Sequence, residues 1–195
     1  MSLRASYTLL APLYDLIVAR ASAASRARSL AALANLPPTN VLLSGIGTGL
    51  DLPHAPPQHR YVGLDLTAAM LARVPPSTNL ALVQGDSQRL PFNDESFDHA
   101  VLHLILAVVP DAYKCLPETL RVTKPGGRIL IFDKFIPRGR PAPLRRLLSP
   151  LARQIATGLD VVFEDVLERC PNARLCKDEP ALGGGWFRLI QLEKL

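Results

Sequence analysis

Three short clusters carry residue types that could do chemistry. Ser44-Gly45-Ile46-Gly47-Thr48-Gly49 follows the apolar run Val41-Leu42-Leu43, and glycines there let the backbone turn sharply and come close to a ligand. Asp65 closes the next apolar run, twenty residues after Gly45. A carboxylate at that place can accept hydrogen bonds from both hydroxyls of a ribose. Gly85-Asp86 closes a third run and precedes Leu90-Pro91-Phe92; Asp86 there can accept a bond from an adenine amino group. Singly, these are a tight turn, a strand-end carboxylate and a turn residue. At three successive strand ends they point to an adenosyl ligand. The dinucleotide fingerprint needs its third glycine at position 50, where this chain has Leu50. A GxGxG turn suits a ligand with no pyrophosphate to cradle.

The elements that must position these clusters alternate along the chain. Residues 3–35 read as two helices: Leu9, Leu10, Leu13, Leu16 and Ile17 recur at helical spacing, Ser22 is placed to cap the second, and Pro37-Pro38 stops it. Strands are expected at 41–43, 61–65, 80–83, 97–104 and 128–132, with helices at 67–74 and 111–122 and a turn at Pro125-Gly126-Gly127. Alternation of this kind implies parallel pairing and a doubly wound α/β sheet. Beyond it, 141–156 and 160–169 read as helical. Segments 173–179 and 186–193, split by Gly183-Gly184-Gly185, read as an antiparallel hairpin. The expectation is a single Rossmann-like domain over 1–195, with a seven-stranded, mostly parallel sheet. It divides into a helical lid (1–38), a cofactor-binding core (39–135) and substrate-side helices with the hairpin (136–195).

Composition bounds the alternatives. Of 195 residues, 48% are hydrophobic and 20% charged, as in an ordinary globular domain. No apolar run free of charges is long enough to cross a bilayer, and the first residues lack the layout of a secretory signal. A cytoplasmic protein is expected. The three cysteines, Cys115, Cys170 and Cys176, show no CxxC spacing and are read as free thiols acting as small apolar fillers; no metal site is expected. The net charge of +5 suits an acidic partner, with arginines gathered at Arg20, Arg26 and Arg28 and again from Arg138 to Arg153. Residues 137–155 alternate arginine with leucine as a basic amphipathic helix, which could dock on anionic lipid or pack on the core with its arginines in water.

The segments VLLSGIGTGLDLP (41–53), YVGLDLTAAML (61–71), GDSQRLPFNDESFDHAV (85–101) and RVTKPGGRIL (121–130) resemble the class I S-adenosylmethionine-dependent methyltransferases. Within them the chain is similar to the group of quinone-biosynthesis C-methyltransferases and bacterial phosphatidylethanolamine N-methyltransferases, also in the pair Tyr14-Asp15. The resemblance implies S-adenosylmethionine as cofactor. Gly45, Gly47, Thr48 and Gly49 would then line its methionine half, and Asp65 would hold the ribose. Leu66 and Met70 would pack near the adenine, Asp86 would contact the adenine amino group with Ser87 beside it, and Leu102 and His103 would face cofactor and substrate. One position departs: the family usually has an acidic residue two places before the first glycine, where this chain has Leu43.

Methyl transfer from a sulfonium is an in-line displacement in which positioning dominates, and help from a base depends on the nucleophile. His103 is the first candidate base or orienting group; a histidine satisfied by strand-end backbone is the competing reading. Tyr14 and Tyr7 are candidates for the lid, Asp133 for orienting a substrate, and His54, His59 and His99 read as loop or surface residues. The leading function is a methyltransferase for a small-molecule or lipid acceptor, a phospholipid amine or quinone-like ring, with action at the membrane surface as one option. The alternatives are a non-catalytic or repurposed adenosyl-binding protein, and a nucleic-acid or protein methyltransferase, for which no recognition domain is evident. Oligomeric state is not encoded in these patterns.

Overall fold

Strands that are apolar at consecutive positions need cover on both faces, and the strand Asn40–Ser44 (β1) shows how this fold supplies it. Val41 and Leu43 join Leu30, Leu33, Tyr61, Val74, Val101 and Leu130 in one apolar cluster. Leu42, pointing the other way, joins a larger one with Ala100, Leu102, Leu116, Leu120, Ile129 and Phe163.

The computed structural model describes residues 21–138 and 161–195. Residues 21–30 are helical (α1). After β1 come Arg60–Asp65 (β2), Ala68–Leu71 (α2), Leu80–Gln84 (β3), Phe97–His103 (β4), Ala112–Val122 (α3), Thr123–Lys134 (β5), Phe163–Leu167 (α4), Ala173–Leu182 (β6) and Phe187–Lys194 (β7). The strands form one seven-stranded sheet in the order β3-β2-β1-β4-β5-β7-β6. Pairing is parallel from β3 through β5 and antiparallel where β7 meets β5 and β6. This is the doubly wound sheet with a C-terminal hairpin that the alternation implied.

Local differences have local causes. Helix α2 spans four residues, not 67–74; Val74 precedes Pro75, and a residue before proline is pushed out of the α region. Ser22 lies among the helical residues of α1, where its hydroxyl accepts a bond from Arg26 Nε at 3.0 Å. Strand β5 begins at Thr123, before the glycine pair, across a register shift between Phe97 and His99. The expected helix at 160–169 is the shorter α4. The helix expected at 141–156, Tyr7 and the Tyr14-Asp15 pair lie outside the described residues.

Burial corrects several surface assignments. His59 and His99 are buried: His59 takes the Thr39 N–H on Nδ1 and contacts the Leu33 carbonyl with Nε2, while His99 Nδ1 accepts from the Arg128 N–H. Cys115 and Cys170 are buried fillers, but Cys176 is exposed on the edge strand β6. Of the arginine clusters, Arg26 is buried against Asp51, Arg28 pairs with Glu179, and Arg138 pairs with Glu168 and Asp165 at α4. Asp111 caps α3 by accepting from the Tyr113 N–H at 3.0 Å.

Leu42 is fully buried in the central strand. Leu42→Ala should cost about 2–5 kcal/mol, through lost burial and the cavity left behind. Urea unfolding should show a lower midpoint at unchanged slope.

Candidate active site

In an open parallel sheet the natural ligand site is the crevice where the winding direction reverses, outside the carboxyl ends of the strands. Here that place lies between β1 and β4. The turn leaving β1 has Gly45, Gly47 and Gly49 all at positive φ (74°, 58° and 87°), a conformation that side-chain-bearing residues avoid. At Gly45 a Cβ would also lie 2.7 Å from Ile105 Cδ1, so that side chain would have to shift to admit it. At Gly47 a Cβ would meet nothing within 4 Å, which leaves open space over that backbone.

Asp65 bolts this turn to the end of β2. Its Oδ2 accepts from the Gly47 N–H at 2.9 Å and its Oδ1 from the Thr67 N–H at 2.9 Å. Burial pushes its carboxyl above the usual carboxylate range against the pull of these backbone N–H groups. At the end of β3, Asp86 receives the backbone and side-chain N–H groups of Gln88. The neighbouring Ser87 hydroxyl accepts from Ser44 Oγ at 2.8 Å, tying that loop to β1.

These groups converge on one cavity of about 280 Å³, close to the lower end of small-molecule pockets at about 300 Å³. Gly45, Gly47, Thr48, Asp65, Leu66, Met70, Asp86, Ser87 and His103 all line it. Gly49 stands off the wall: it packs against Leu52 and Val74, where a Cβ would come within 2.9 Å of Leu52 Cδ1. The far wall is apolar, formed by Leu104, Ile105, Val108, Val109 and Pro110.

Residues 42–131 match the family model described as a methyltransferase domain. The matched segment runs from β1 into β5 and holds all three strand-end clusters. The sequence is 28% identical over 190 residues to a phosphatidylethanolamine N-methyltransferase of Cereibacter sphaeroides, covering 93% of each chain. It is 36% identical over 86 residues to a demethylmenaquinone methyltransferase of Shouchella clausii, a match that covers 41% of this chain and 37% of that enzyme. Among solved structures, an S-adenosylmethionine-dependent methyltransferase of Thermotoga maritima superposes with a TM-score of 0.72 at 17% identity, covering 99% of this chain and 100% of the other. The cyclase SpnF gives 0.77 at 16% identity, covering 100% and 97%. Both likenesses are of fold.

Within the matched segment Leu43 is buried in β1, an apolar side chain sealed in the core at the position where the resemblance implies an acidic residue. His103 lies at the cavity with its side chain fully buried and both ring nitrogens engaged: Nδ1 is 2.6 Å from Asp51 Oδ1 and Nε2 is 2.9 Å from Ser29 Oγ. Side chains alternate along a strand, so His103 shares the face of Val101 and enters the layer between the sheet and α1. Arg26 Nη1 donates to the same Asp51 oxygen at 2.7 Å. Burial alone would push the Asp51 carboxyl up; the adjoining His103 and Arg26 outweigh it and hold it well below the usual carboxylate range. Arg26, Ser29 and Asp51 had not been singled out as site residues. The available signal was the polar series Ser22, Arg26 and Ser29, spaced to fall on one helix face with Leu33.

Asp133 lies in β5, not past it, and beneath the apolar wall. It accepts from the Ala107 N–H at 3.0 Å and the Lys134 N–H at 2.8 Å. Burial nevertheless pushes its carboxyl up to about 6, above the unfolded value of about 3.9. The folded state therefore holds this proton more tightly than the unfolded chain. The contribution is complete below about pH 4 and is lost as pH rises through about 6, an effect on the order of 3 kcal/mol. Asp133→Asn should flatten this part of the stability profile, which urea unfolding at a series of pH values would measure against wild type.

Proposed function

We propose that this cavity binds S-adenosylmethionine, and that the protein transfers its methyl group to a small-molecule or lipid acceptor of phospholipid-amine or quinone-like type. The observation that carries the reading is the convergence of Gly47, Asp65 and Asp86, from three strand ends, on one cavity. The residues present fit the cofactor. Two carboxylates face the adenosyl end, with Asp65 placed for ribose hydroxyls and Asp86 for an adenine amino group. Leu66 and Met70 offer apolar surface to the ring, and the open space over Gly47 admits a ligand close to the backbone.

When bound, S-adenosylmethionine supplies a methyl group on a sulfonium centre with a good leaving group. The protein's own part is positioning and exclusion of water. The rigid glycine turn, held by Asp65 and by the Leu64 carbonyl, fixes one side. The wall Leu104 to Pro110 gives the acceptor an apolar surface, which favours a quinone-like ring or a lipid over a strongly hydrated metabolite. The related phosphatidylethanolamine and demethylmenaquinone enzymes act on acceptors of these kinds. No helix among the described residues is long and apolar enough to cross a membrane, so an acceptor held in lipid would be met from the surface. With both His103 nitrogens engaged, that ring serves as an orienting group for the site.

A second reading has its own observation. Leu43 and the fully engaged His103 leave this end of the site without the usual acid and without a ready base, which favours an adenosyl-binding protein that transfers nothing.

Calorimetric titration with S-adenosylmethionine and S-adenosylhomocysteine should give micromolar binding, weakened about tenfold or more by Asp65→Ala through lost charge-assisted hydrogen bonds. Methyl transfer to phosphatidylethanolamine vesicles or a demethylated quinone should follow. Binding without transfer to either favours the second reading; no binding by folded wild type overturns both.

A further inference from the structure

The cavity is electrically lopsided. Asp65 and Asp86 stand at the end assigned to the adenosyl group, and of the described side chains lining it only Arg26 is a lysine or arginine. Arg26 enters from α1, beside the glycine turn and the β4 end. Its guanidinium is held in place: Nη1 donates to Asp51 at 2.7 Å and Nε to Ser22 at 3.0 Å. Asp51 is itself held by His103 at 2.6 Å, and His103 by Ser29. A planar guanidinium fixed along two of its bonds presents its remaining N–H groups in a set direction, the geometry that suits a carboxylate. The apolar Leu43 brings no charge to this end, so any charge complement there comes from α1 and from the loop after the glycines.

We propose that Arg26 is the binding group for the carboxylate at the amino-acid end of the cofactor, with Asp51 as the residue that positions it. The inference rests on the cofactor reading above and extends it to residues outside the glycine motif. An adenosyl ligand lacking that carboxylate would keep its contacts with Asp65 and Asp86 and lose the one with Arg26. The Ser22–Arg26–Asp51–His103 chain would act as one unit, so its members would affect affinity for the amino-acid end and leave the adenosyl end alone.

The test is calorimetric titration of wild type, Arg26→Met, Arg26→Lys and Asp51→Asn with S-adenosylmethionine and with decarboxylated S-adenosylmethionine, which differ only in the carboxylate. Wild type should prefer the carboxylated ligand by about tenfold to a hundredfold, the range for a hydrogen bond between charged groups. Arg26→Met should erase that preference by weakening S-adenosylmethionine alone. Arg26→Lys should retain part of it, since charge remains and the fork is lost. Asp51→Asn should reduce it with little change for the decarboxylated ligand. Equal affinity of wild type for the two ligands overturns the proposal whatever the variants do, and so does a loss in Arg26→Met that is the same for both. Tight binding of both by wild type without discrimination leaves the cofactor reading standing; binding of neither removes it as well.

Discussion

A carboxylate withdrawn from water keeps its charge only where cations or donors meet it. Asp51, at the exit of the glycine turn, is buried and meets Arg26 from α1 and His103 from β4 on a single oxygen. Three elements far apart in sequence are thereby fixed to one point. Buried pairs of this kind add little net stability, because desolvation offsets most of the attraction, but they tolerate almost no displacement. The apolar cluster that joins α1 to the sheet through Leu30 and Leu33 could accept small slides of the helix. The Asp51 contacts do not, and they determine how α1 meets the cavity.

A second constraint acts across the crevice. The Asp65 carboxylate takes the Gly47 N–H, and the Leu64 carbonyl takes the N–H groups of Gly45 and Ile46. The turn is thus stiffened by β2 as well as by its own glycines. On the opposite side, Leu104 sits at a φ of 59°, strained for a residue with a side chain, and its N–H is held by the Phe132 carbonyl at 2.7 Å. One rim of the cavity is thus held by the Leu64 carbonyl and the Asp65 carboxylate, the other by the Phe132 carbonyl. That arrangement suits a reaction in which geometry supplies most of the rate.

What could be read from the sequence was what depends on neighbours in the chain. Gly45, Gly47, Asp65 and Asp86 each stand at the end of a short apolar run, and strand ends in a parallel sheet face one crevice; the sheet and its terminal hairpin follow from the same alternation. Gly49 shows the limit of spacing, because a motif glycine can serve packing against Leu52 and Val74 in place of ligand approach. The surface assignment of His59 and His99 failed because a histidine in a mostly polar stretch gives no sign of the carbonyl or N–H that awaits it. Arg26 misled for a similar reason. Its arginine neighbours placed it in a cluster suited to an acidic partner, while its actual partner Asp51 lies 25 residues away. The pairing is visible only once α1 is laid against β1 and β4.

Leu43 ties these points together. In the parallel register it pairs with Val101, and His103, two residues further along β4, lies on the same face. A carboxylate at position 43 would sit in the apolar layer that contains Leu30, Leu33 and Tyr61, one strand over from the His103 ring. Here the layer is apolar at that position, and a buried acid lies beyond the glycine turn at Asp51, where it reaches both Arg26 and His103. Position 43 therefore brings no charge to this end of the cavity, and the charged groups found there belong to the Asp51 network, with Arg26 on the wall.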